Sequence, residues 1–131
     1  MKKIVIIPAR LDSERLPEKP LKLIDGKPMI QWTYLAASNS ITDEIYVATD
    51  SQKIKKEVEG FDGNAVLTSS KHQTGTDRIF EVAEKLGLED DDLVINVQGD
   101  EPFIDPEDIN NIFNSFHVVE ENPNFQIESI F

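Results

Sequence analysis

Apolar residues fall along this chain in two rhythms that take turns. Residues 3–8 (KIVIIP) and 93–98 (LVINVQ) are near-continuous apolar, β-branched runs, as expected of parallel strands covered on both faces. Residues 45–49 (IYVAT) predict a third strand, and Ala65-Val66-Leu67 a shorter fourth. Between the strands, apolar side chains recur at helical spacing. Pro28 suits a first helical turn, followed by Met29, Ile30, Thr33 and Leu35. Ser51 can cap a short helix running through Val58. Ile79, Val82, Ala83 and Leu86 form the next stripe, with Gly87 at its stop. Asp105 can cap a last helix that Pro106 opens, with Ile109, Ile112, Phe113 and Phe116 along one side. Asp25-Gly26 signals a tight turn between Leu23-Ile24 and the first helix.

Strand, helix, strand, helix with short links predicts an α/β fold. The expected architecture is a doubly wound, mainly parallel sheet with helices on both faces and right-handed crossovers, Rossmann-like in type. Residues 1–131 read as a single domain, with no repeat, low-complexity tract or linker to divide it. The acidic run Glu89-Asp90-Asp91-Asp92 is expected to be a solvated turn before a strand. Residues 125–131 (FQIESIF) alternate like a half-buried strand that stops before any connection back to the sheet. That pattern predicts either a disordered tail after Pro123 or self-association through it. Trp32 and Tyr34 are expected to pack their helix rather than stack on a base.

Composition sharpens the functional choice. Hydrophobic residues at 39% and charged residues at 29% describe an ordinary globular chain. The chain has no cysteine, which excludes disulfides, cysteine nucleophiles and thiolate metal sites. Pro8 and Arg10 end the first apolar run far short of a signal or membrane-spanning segment, so a cytoplasmic protein is expected. The net charge of −12 argues against nucleic acid or an anionic membrane as partner. The charge is uneven, however. Residues 1–27 carry seven Lys/Arg against four Asp/Glu, and the rest carry six against 21. Screening over about 8 Å at physiological salt lets a local basic cluster bind a small polyanion despite distant acids.

In open α/β sheets ligands bind beyond the carboxyl ends of the strands, and the chemically interesting residues follow the strands here. After the first strand come Pro8, Ala9 and Arg10, then Ser13, Arg15 and Lys19, in a loop with further prolines at 17 and 20. Guanidinium forks and a lysine suit phosphate oxygens, although the loop lacks the glycines of a Walker A motif. At the end of 93–98 stands Gln98-Gly99-Asp100-Glu101-Pro102, where a strand-end carboxylate is a natural Mg²⁺ ligand. Third is His72-Gln73-Thr74-Gly75-Thr76-Asp77-Arg78, whose Thr74, Thr76 or Asp77 could cap a helix with amides open to polar nucleotide groups. Each element also has a plain structural reading: incidental surface charge, a polar turn, and a capped helix with Arg78 on its outer face. His72 and His117 lack clustered ligand partners, so no zinc site is expected.

Read together, the elements resemble a known family. The blocks I-I-P-A-R-x-x-S-x-R-L-P-x-K-P-L (6–21), G-K-P-M-I (26–30), V-A-T-D (47–50), H-Q-T-G-T-D-R (72–78) and V-I-N-V-Q-G-D-E-P (94–102) stand in the order of the 3-deoxy-manno-octulosonate cytidylyltransferases, or CMP-Kdo synthetases. A looser likeness extends to CMP-sialic acid synthetases. The resemblance implies that a sugar's anomeric hydroxyl attacks the α-phosphorus of CTP and releases pyrophosphate. It implies that Arg10, Ser13, Arg15 and Lys19 surround the triphosphate, with the Pro8 and Ala9 backbone near the nucleotide. It further implies that His72, Gly75, Thr76 and Arg78 help hold cytidine, that Gln98 faces the sugar acid, and that Asp100 binds Mg²⁺. Arg10, Lys19 and Asp100 would carry the chemistry, by placing substrates and taking up developing phosphate charge.

The family's second half holds a further metal-binding aspartate, most sugar contacts and a homodimer surface, and none of these matches this chain. The expectation is therefore a nucleotide-binding half that does not turn over by itself. Three other readings stand beside it. One is a CTP-binding remnant or regulatory module, and another is a cytidylyltransferase for a different sugar acid. The third, a phospho-receiver domain, needs acids just after the first strand, where this chain has Pro8-Ala9-Arg10.

Overall fold

The computed structural model describes residues 2–11, 18–71, 75–89, 91–115 and 126–129. Its first strand, β1 (Lys3–Pro8), is buried from Ile4 onward. Successive strand side chains point to opposite faces, so Val5 and Ile7 serve one core while Ile4 and Ile6 serve another. Three more strands follow the sequence pattern closely: β4 (Glu44–Thr49), β5 (Ala65–Leu67) and β6 (Leu93–Asn96). Between β1 and β4 the pair β2 (Leu23–Ile24) and β3 (Lys27–Pro28) makes a small antiparallel hairpin. Its turn residues Asp25 and Gly26 have φ of 47° and 82°, the positive values that a two-residue turn of type I′ requires.

The main sheet has the order β5-β4-β1-β6-β7, and every pairing in it is parallel. Its last member, β7 (Gln126–Ser129), sets Ile127 opposite Val94 and Glu128 opposite Ile95. Residues 126–129 do return to the sheet, against the expected strand without a connection back to it, because β6 offers them an open parallel edge. The chain walks outward from β1 through β4 to β5, then crosses to the other side for β6 and β7. The crossing point between β1 and β6 is the topological switch at which such sheets open a crevice.

Helices α1 (Met29–Ser38), α2 (Gln52–Gly60) and α4 (Pro106–Ser115) cover the face of Val5 and Ile7 through Ile30, Ile54, Val58, Ile109 and Phe113. Helix α3 (Gly75–Leu86) covers the face of Ile4 and Ile6 through Ile79 and Val82. Helices on both faces of a parallel sheet bear out the predicted fold class. Ser51 accepts the amide of Ile54 at 3.2 Å, and Asp105 accepts that of Glu107 at 2.9 Å, so both predicted caps form. The inward face of α1 is Ile30, Thr33 and Ala37, while Leu35 is exposed. Position 35 lies five residues beyond Ile30, half a helical period away from that stripe. Asp92 also departs from expectation. It is buried, accepting the amides of Lys2 at 3.0 Å and Glu89 at 2.9 Å, and so it pins the turn before β6 instead of being solvated. No helix among the described residues is long and apolar enough to cross a membrane.

Candidate functional site

Strands β1 and β6 run side by side, with Ile6 opposite Asn96, so their carboxyl ends open together. Gly99 then passes directly over the end of β1, its amide donating to the Pro8 carbonyl at 3.2 Å. A Cβ at position 99 would stand 3.1 Å from that carbonyl oxygen and 3.3 Å from both Ala9 Cβ and Ile30 Cδ1. Glycine is what lets the two strand ends touch. From α1 the buried Thr33 hydroxyl donates to the Gly99 carbonyl at 3.2 Å, which fixes the turn carrying Gln98 and Asp100. Thr33 had read as an ordinary position in an apolar stripe, so its polar role had no signal in the pattern.

Lys19 and Asp100 meet across this opening. Lys19 starts a single 3₁₀ turn (Lys19–Leu21) anchored by the buried Pro20, and its Nζ lies 3.1 Å from Asp100 Oδ2. Both side chains stay partly in water. The candidate phosphate-binding lysine and the candidate metal carboxylate are thus direct partners, although 81 residues separate them. Pro8 and Ala9 are buried at the end of β1, Arg10 is exposed beside them, and Gln98 is half-buried. The turn at Glu18 is tied at both sides. Its amide donates to the Leu11 carbonyl at 2.8 Å, and its carboxylate pairs with Lys53 on α2. The hydrogen bond and charge of Lys53 hold the Glu18 carboxyl below the usual glutamate range. Ser13, Arg15, His72 and the cap candidate Thr74 lie outside the described residues, as does the side chain of Thr76.

Arg78 occupies a different position from the outer face expected for it. It is 1% exposed, with Nη1 donating to Thr68 Oγ1 at 2.8 Å and lying 3.8 Å from Asp50 Oδ1. Asp50 and Thr68 are the first residues beyond β4 and β5. In the sequence Asp50 stood only as the last residue of the V-A-T-D block, with no role given, and Thr68 was not named. Yet Asp50 is a strand-end carboxylate just as Asp100 is, and the same reasoning could have found it. At the opposite, amino-terminal edge of the sheet lies a cavity of about 240 Å³ lined by Glu44, Tyr46, Glu89, Asp91 and Asp92 with Lys2. Burial and Glu44 raise the Tyr46 hydroxyl above the usual tyrosine range. So acidic a lining is unfavourable for a polyanion, whereas the carboxyl-end crevice presents Lys19 and the exposed Arg10.

Residues 4–129 match the cytidylyltransferase family. A 3-deoxy-manno-octulosonate cytidylyltransferase of Saccharophagus degradans is 53% identical over 109 residues, covering 83% of this chain and 43% of that protein. An 8-amino-3,8-dideoxy-manno-octulosonate cytidylyltransferase of a Shewanella species is 56% identical over 118 residues, covering 88% of this chain and 48% of its own length. The chain spans about half the length of the curated relatives it matches. Among solved structures, a CMP:2-keto-3-deoxy-manno-octonic acid synthetase complexed with CTP superposes with a TM-score of 0.82 at 43% identity, covering 87% of this chain and 46% of that one. A cytidylyltransferase of Leptospira borgpetersenii, at 20% identity and a TM-score of 0.76 over 88% of this chain and 49% of its own, shares the fold.

Proposed function

The chain belongs to the cytidylyltransferase family, and from that premise we propose that it is the nucleotide-binding part of an enzyme that activates a 3-deoxy-manno-octulosonate-type sugar acid with CTP. The observation that carries this reading is the Lys19–Asp100 pair at the β1–β6 switch point, beside Arg10. In the reaction the sugar's anomeric oxygen bonds to the α-phosphorus of CTP while the bond to pyrophosphate breaks. Negative charge grows on the departing phosphates, and Arg10 and Lys19, with Ser13 and Arg15, are the groups that take it up. Gln98 faces the sugar, and the turn containing Gly75 and Thr76, with His72, holds the cytidine. The envelope polysaccharide role and the cytoplasmic setting of such an enzyme belong to the same reading.

Magnesium fits the residues at hand. Among the described residues no three His, Cys, Asp or Glu side chains gather into a ready-made metal site. Magnesium does not need one, since it takes one or two carboxylates and completes its shell with phosphate oxygens and water. Asp100, an oxygen donor 45% exposed at the strand end, is the residue that would hold it. When bound, the ion supplies charge neutralisation at the phosphates.

A relative named for the 8-amino sugar matches about as well as one named for the parent sugar, so these two acids are the ones to compare in the assay. Titration of the chain with CTP and Mg²⁺, followed by pyrophosphate release with each sugar acid, tests the proposal. Because the chain spans about half its relatives' length, CTP binding without pyrophosphate release is expected of the chain alone, and release with one sugar acid is expected of a longer protein that contains it. Failure to bind CTP sinks the reading, and binding with no release from the longer protein either favours a nucleotide-binding module.

A further inference from the structure

A nucleotide arriving from solvent cannot meet Arg78 unless that side chain is first uncovered, since it is 1% exposed. Its Nε has no hydrogen-bond partner among the described residues, and Nη1 makes the one contact to Thr68 and the looser pairing to Asp50. Taking a guanidinium out of water is costly, and an apolar side chain of similar size would pack here at less expense. Arginine adds reach and direction instead. Thr49 pairs with Leu67 in the β4–β5 register, so Asp50 and Thr68 leave adjacent strand ends together. One side chain from the first turn of α3 thereby ties that turn to both strands. Gly75 and Thr76 belong to the same turn.

We propose that Asp50, Thr68 and Arg78 form an internal clasp that positions the first turn of α3 for the nucleotide, the guanidinium itself not touching it. Arg78 and Asp50 are then positioning residues. The inference rests on the reading that this chain binds CTP. Asp50, with its side chain 25% exposed, is the accessible member of the clasp and the one to change first.

The test measures CTP affinity of the unaltered chain, Asp50→Asn, Arg78→Met and the double variant, and follows the Arg78 Nε–H and the 75–77 amide resonances. Asp50→Asn should weaken CTP binding several-fold, less than the loss of a direct phosphate contact, since the 3.8 Å pairing acts only through the position of α3. It should add nothing in the Arg78→Met background, because the two act as one unit. In the unaltered chain, saturating CTP should shift the 75–77 amides and leave the Arg78 Nε–H resonance in place. A purely structural pair with no link to the site would move stability and leave affinity alone. Unchanged affinity in Asp50→Asn overturns the clasp, as does an Arg78 Nε–H resonance that moves on CTP binding. That second measurement needs no variant and decides the matter even where a substituted chain does not fold. Absence of CTP binding to the unaltered chain overturns the functional reading and the clasp together, whereas undiminished binding in Asp50→Asn overturns the clasp alone.

Discussion

Lys19 and Asp100 sit 3.1 Å apart with 37% and 45% of their side chains exposed, and pairs so open to water contribute about 0–1 kcal/mol. Breaking this pair costs little, so each partner is free to exchange the other for a stronger one. Lys19→Ala should weaken CTP binding by about tenfold, the effect of one charge-assisted phosphate contact. Asp100→Asn keeps the shape and removes the charge a hard cation prefers, so Mg²⁺ should no longer strengthen CTP binding. Titrations with and without Mg²⁺ check both, and an unaltered magnesium dependence would move the ligand to another carboxylate. Glu18 behaves differently. Its depressed folded-state value means that its favourable pairing is present above the ordinary carboxyl range and fades as pH falls through the lowered value. Lys53→Met should return the Glu18 carboxyl toward 4.5, a shift that carboxyl-carbon NMR resolves directly. No movement would mean that Lys53 is not the group holding it down.

Element boundaries follow from residues whose local chemistry has one outlet. Ser51 is such a residue, since its Oγ takes the Ile54 amide and α2 has only nine residues to share the loss. Ser51→Ala should cost about 0.5–2 kcal/mol, visible as a lower denaturation midpoint with unchanged slope. Four core strands and the four α-helices of the described residues were legible because runs of Ile and Val, caps and helical spacing are local signals. Pro28 stands one residue before α1 and not inside its first turn, a shift within the usual uncertainty of helix ends. What escaped the sequence depends on neighbours distant along the chain. Burial of Arg78 needs Thr68 and Asp50, and burial of Asp92 needs the amide of Lys2, 90 residues away. The return of β7 depends on a free edge of β6, which no pattern within 125–131 encodes. At the site, Lys19 and Asp100 were legible singly, while their pairing and the glycine contact behind it were not.

At the scale of the molecule, the two faces of the sheet are covered unequally but share their strands. Three helices cover the face of Val5 and Ile7, whereas α3 is the helix that covers Ile4, Ile6, Ala48 and Val94 among the described residues. Consecutive residues of β1 belong to opposite cores, so neither core can lose order without disturbing the strand that serves the other. The chain should therefore unfold as one unit, and damage beneath α3 should be felt on the far face. Ile79 is fully buried there, and Ile79→Ala should cost about 2–5 kcal/mol through lost contacts and the cavity left behind. The single tryptophan, Trp32, reports from the other side, where its indole donates to the Ile24 carbonyl at 2.6 Å. Urea unfolding followed by Trp32 fluorescence and by far-ultraviolet circular dichroism should give coincident transitions, both shifted to lower urea by the same amount in Ile79→Ala. If the dichroism transition moved while the Trp32 transition stayed, α3 would be melting apart from the rest. The shared strands would then not couple the two cores, and the polar ties of α3 to the end of β5, Arg78 to Thr68 and Lys85 to the Leu67 carbonyl, would not be enough to keep that helix in step with the sheet.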